Sequence, residues 1–137
     1  MKISDLYTEY FMEEGCAIYA LALSKLLPYN TDIGVISNDD GESWGEGEAS
    51  EYGEFTHVYL DTPKGTVDCK GLRSVDIMAD DFRLHSYTVE GLWHPEIFAA
   101  AFVGPDDNVP LYGTKKDIEM TRKWIEQNQS ELLKALL

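Results

Sequence analysis

The run Gly15-Cys16-Ala17-Ile18-Tyr19-Ala20-Leu21-Ala22-Leu23-Ser24-Lys25-Leu26-Leu27-Pro28 decides the fold. From Cys16 to Leu27 only Ser24 and Lys25 suit water, so the segment predicts a helix buried on almost every side, the central helix of a domain. Gly15 and Pro28 punctuate its two ends. Such a helix needs apolar partners all round, and the rest of the chain must supply them. Ahead of it, Ile3, Leu6, Tyr7, Tyr10 and Phe11 keep a three-and-four spacing that predicts a peripheral amphipathic helix over residues 3–12.

Downstream, residues 32–37 (DIGVIS) predict a short strand, and residues 38–54 form a long acidic loop carrying Trp44 and Tyr52. Residues 55–61 alternate Thr56, Val58 and Leu60 against Phe55, His57 and Tyr59. Thr62-Pro63-Lys64-Gly65 then makes a turn, and residues 66–69 return as the second arm of a β-hairpin. Ser74 caps a short helix through Ala79, and residues 83–89 (RLHSYTV) predict a further strand. His94-Pro95-Glu96 opens a helix over residues 97–103 that the Gly104-Pro105-Asp106-Asp107 cluster stops. Thr114 with Asp117 resembles a capping box for a helix running toward Gln129, with a restart at Ser130. The expected fold class is α+β: a central N-terminal helix packed on a small antiparallel sheet, with flanking C-terminal helices, in one domain over residues 1–137.

Composition bounds the function. With 137 residues, 44% of them hydrophobic, the chain has enough apolar surface for one core and is not expected to be disordered. Its 25 Asp and Glu against 11 Lys and Arg give a net charge of −14, which repels phosphate backbones and anionic lipid, so neither direct nucleic-acid binding nor a membrane partner is expected. No apolar run approaches the roughly 20 residues of a membrane span, and Asp5 stands where a signal peptide would be apolar, so the expected location is the cytoplasm. There Cys16 and Cys69 are expected as free thiols. His57, His85 and His94 show no metal spacing, and Asp39, Asp40 and Glu42 around Gly41 lack the closing Glu of a calcium loop, so neither metal nor cofactor is expected.

Cys16 stands on the first turn of the apolar helix, where backbone N–H groups and the positive end of the helix dipole face its sulfur and favour the thiolate. His57 lies on the strand entering the hairpin and Asp68 on its partner. If Asp61 pairs with Thr66, Asp68 faces Tyr59, on the side of His57 and one diagonal step from it. A thiolate nucleophile needs an imidazole to move its proton, and the imidazole needs a polar group to hold its tautomer. Taken singly, Cys16 reads as a small core residue and His57 as a structural one. Their joint order with Asp68 makes the triad.

These residues resemble a family. Gly15-Cys16 opening an apolar helix, then His57-Val58-Tyr59-Leu60, a turn and Val67-Asp68-Cys69-Lys70-Gly71, are similar to the papain-like and transglutaminase-like cysteine hydrolase superfamily in its small, phage- or toxin-associated form. The resemblance covers about residues 15–71. It implies Cys16 as nucleophile, His57 as general base and Asp68 as its orienting partner. The glutamine that papain-type enzymes carry before the nucleophile is missing here, leaving the Cys16 N–H and Tyr10 as oxyanion donors. Tyr10, Trp44 and Tyr59 are the expected substrate-binding residues. The reading is a thiol hydrolase or acyltransferase, peptidase- or amidase-like, acting on a protein, a peptide or a small amide or ester. A second class fits the charge: a non-enzymatic acidic binder, such as a phage-encoded inhibitor or nucleic-acid mimic, with a basic protein as its partner.

Overall fold

The computed structural model describes residues 11, 15–38, 55–84, 87–102 and 114–137. The expected helix over residues 3–12 (Phe11 apart), the acidic loop from Asp39 to Glu54, His85 and the Gly104–Asp107 stop lie outside the described residues. The fold is α+β: five helices and a small open antiparallel sheet among the described residues.

Helix α1 spans Cys16–Leu26. Every residue from Cys16 to Leu23 is buried, and the helix turns outward over its last three residues, most of all at Lys25. It packs mainly on helix α4 (Lys115–Asn128) and on strand β2 (Phe55–Thr62). Strand β2 occupies the middle of the sheet, with β1 (Asp32–Asn38) and then β5 (Tyr87–Trp93) on one side of it and β3 (Gly65–Asp68) and the two-residue β4 (Gly71–Leu72) on the other. All four pairings are antiparallel.

Local chemistry explains the elements. In the β2–β3 hairpin Gly65 has φ +132°, which a side chain would resist, and the Thr62 hydroxyl donates to the Gly65 carbonyl at 2.8 Å while accepting from the Lys64 N–H at 3.0 Å. Gly34 of β1 has another reason to lack a side chain, because the Tyr59 ring lies where its Cβ would be. Ser74 caps helix α2 (Val75–Asp81) by accepting from the Ile77 N–H, and Thr114 and Asp117 close the expected capping box of α4. Helix α3 is Pro95–Phe102 and α5, the expected restart, is Ser130–Leu136.

Several boundaries differ from expectation, two of them in the sheet beside the site. The strand expected over residues 83–89 is found at Tyr87–Trp93. The reason is Arg83, whose left-handed φ of 56° continues the turn that ends α2. Leu92 and Trp93 then pair with Gly34 and Ile33 of β1. The second arm of the hairpin runs one residue earlier than expected, so Cys69 lies in the turn to β4. Among the described residues no helix is long and apolar enough to cross a membrane.

Candidate active site

The β2–β3 register is Leu60 with Val67, Asp61 with Thr66 and Thr62 with Gly65, the pairing on which the expected triad depends. Continued one step, it sets Tyr59 opposite Asp68 and His57 on the adjoining diagonal. At His57 the pairing with β1 changes step: Ile36 faces His57 and Ser37 faces Phe55, so Thr56 is an extra residue. A bulge of this kind bends and twists a strand and re-aims the side chain next to it.

His57 Nε2 donates to Asp68 Oδ2 at 3.1 Å, with both side chains out of water at 0% and 2% exposure. The ring packs against Phe82, centroids 5.1 Å apart. Cys16, the first residue of α1, keeps 9% exposure, the largest share among the buried residues of the main apolar cluster. His57 Nδ1 has no hydrogen bond of good geometry among the described residues. The neighbour that acts on the ring beside Asp68 is Cys16, which favours its charged form.

Burial by itself disfavours a charged imidazole. The hydrogen bond to Asp68 and then the influence of Cys16 overcome it, and the His57 pKa rises to about 9. Both neighbours thus favour the charged ring over the neutral one. Burial likewise opposes ionisation of Asp68, yet His57, the Arg73 charge and the Lys70 N–H together hold its pKa below the ordinary value. Cys69, 5% exposed, is pushed up to about 12 by burial and then by the Asp68 charge, so its thiol keeps its proton.

Both Asp68 oxygens are occupied. Oδ1 accepts the Lys70 N–H at 2.9 Å, while Oδ2 accepts from His57 and, at 2.9 Å, from Arg73 Nη2. The same Nη2 meets Asp81 Oδ2 at 2.6 Å, and Lys70 Nζ reaches that oxygen at 3.4 Å. On the α1 side, the Tyr19 hydroxyl donates to Gln129 Oε1, and the Gln129 amide donates to the Cys69 carbonyl at 2.9 Å. The fold thus brings Cys16, His57 and Asp68 together. Of the expected substrate-binding residues, Tyr59 is buried with Ile36, Met78 and Ala79, over Gly34. Tyr10 and Trp44 lie outside the described residues.

Sequence reading missed Arg73, Asp81, Phe82 and Gln129. For Arg73 a signal was present: Val67 pairs with Leu72 and Asp68 with Gly71, which puts Arg73 opposite Thr66 and diagonal to Asp68. A cavity of about 1150 Å³ opens elsewhere, against the later turns of α1, bordered by Lys25, Tyr29, His94, Ala99 and Ile118 and by none of the three site residues. Among the described residues no three His, Cys, Asp or Glu side chains gather as metal ligands. No protein-family model, curated protein or solved structure matches the chain.

Proposed function

We propose that the chain is a cysteine-dependent hydrolase or acyltransferase of papain-like fold, working through Cys16, His57 and Asp68. The observation that carries this reading is the water-excluded His57–Asp68 pair at 3.1 Å, with the thiol that opens α1 acting on the same ring. A purely apolar role for Cys16 gives no reason to seal an imidazolium and a carboxylate beside it, since unpaired burial of either is costly.

In the proposed reaction the Cys16 thiol gives its proton to His57 Nδ1, and the resulting thiolate attacks the carbonyl carbon of an amide or ester. Negative charge then develops on the carbonyl oxygen. The first-turn N–H groups of α1 and the positive end of its dipole stabilise it, and Gly15 adds no side-chain cap to that turn. His57 gives its proton to the leaving nitrogen or oxygen, the carbon–heteroatom bond breaks, and an acyl-thioester remains on Cys16. Water, or an amine or hydroxyl acceptor, loses a proton to His57 as it attacks that thioester, and the thiolate departs. Asp68 stays ionised throughout and fixes which ring nitrogen faces the sulfur. The substrate is a peptide, protein or small amide or ester.

The test is p-nitrophenyl acetate followed by intact-protein and peptide mass spectrometry. An acetyl group should appear on Cys16, turn over, vanish in Cys16→Ala and form at least about 100-fold more slowly in His57→Ala. Equal, slow acetylation of Cys16 and Cys69 would overturn the reading and leave the acidic binder.

A further inference from the structure

Asp68 stands in the sheet between two diagonal neighbours, His57 on β2 and Arg73 just after β4, and both donate to the same oxygen. Arg73 is itself largely enclosed, its side chain 14% exposed, and its Nη2 is shared with Asp81 at the C-terminal end of α2. Both contacts come from the one nitrogen, so a single charged donor ties the carboxylate on the strand to the carboxylate at the end of the helix. We propose that Arg73 is a positioning residue of the Cys16 site: anchored by Asp81, it fixes the carboxylate that orients His57 and limits how strongly that carboxylate holds the ring. This inference rests on the cysteine-hydrolase reading for its catalytic meaning. The contact geometry stands without it.

The charges around the pair define the direction of the effect. His57 and Asp68 are faced by Cys16 and Tyr19 from α1, by Lys70 and Cys69 from the turn after β3, by Arg73 after β4, and through Arg73 by Asp81 of α2. Tyr19 and Cys69 are both shifted upward, so at neutral pH neither adds a negative charge. Arg73 is thus the cation that competes with the imidazolium for Asp68 Oδ2. Without it, the carboxylate is left to His57 and to the Lys70 N–H, and the ring should hold its proton more tightly. Neutralising Asp81 should act in the opposite sense, because Arg73 then gives its whole charge to Asp68.

The experiment is an NMR titration of the His57 ring in the full chain as wild type, Arg73→Gln, Arg73→Lys and Asp81→Asn. In Arg73→Gln the His57 midpoint should rise by about one unit. Arg73→Lys should recover most of that difference, and Asp81→Asn should lower the midpoint. A change in melting temperature without any movement of the His57 midpoint would make Arg73 merely structural and overturn the proposal. So would an upward shift in Asp81→Asn, which keeps the result decisive if Arg73→Gln fails to fold. Failure of the hydrolase reading shows separately, in the acetylation of Cys16, which these titrations do not measure.

Discussion

Two cysteines, both buried and neither in a disulfide, frame what this structure teaches. Cys16 opens a helix and acts on an imidazole. Cys69 follows the carboxylate on a turn, and the Asp68 charge adds to burial in keeping its proton on. Burial is thus shared by the two sulfurs, and what differs is the neighbour that faces each, an imidazole for Cys16 and a carboxylate for Cys69.

The largest expected effect is chemical. Iodoacetamide at pH 7 should modify Cys16 at least about 100-fold faster than Cys69, because Cys69 stays protonated up to about 12. Peptide mapping over a time course measures this, and comparable rates would erase the contrast. Next comes Asp68→Ala, which strands the His57 ring and Arg73 without their shared acceptor. It should cost about 3–5 kcal/mol in urea unfolding, and a loss under 1 kcal/mol would show that the buried pair is not what separates the two thiols.

A smaller and more gradual effect comes from pH. Held above its ordinary 6.5, His57 contributes stability that is complete below that value and fades as pH rises through about 9. Cys69 acts in the same direction at higher pH, since the unfolded thiol ionises near 9 and the folded one near 12. Asp68 acts on the acid side: its depressed pKa contributes above the ordinary carboxylate value and is lost as pH falls through the folded one. Melting temperature should thus be highest between about pH 5 and 6.5 and fall on both sides. Cys69→Ala should flatten only the alkaline decline, and an unchanged curve from pH 7 to 10 in wild type would contradict the assigned His57 environment.

Much of this arrangement was legible in the residues. An apolar run interrupted only by Ser24 and Lys25 is a buried helix because no face of it suits water, and α1 follows. The Thr62-Pro63-Lys64-Gly65 turn set the hairpin register, and with it the diagonal of His57 and Asp68. Ser74 and Thr114 capped the helices expected of them. What escaped depended on backbone geometry with weak local signals. Arg83 takes a left-handed conformation and delays β5, although RLHSYTV has strand composition throughout. Arg73 reaches Asp68 only because a two-residue strand, turned by Gly71 at φ +113°, folds it back. Gln129 bonds a carbonyl 60 residues away, a separation no local pattern reports.

That last contact bears on the order in which the molecule is made. The Gln129 side chain fastens the turn behind Asp68 to Tyr19 of α1, and Tyr29 is tied to the carbonyl of Leu136. On the ribosome, then, Cys16, His57 and Asp68 all emerge long before the clamp that joins their surroundings has been translated. The nascent chain must hold Cys16 in an unfinished setting until helices α4 and α5 clear the exit tunnel and dock.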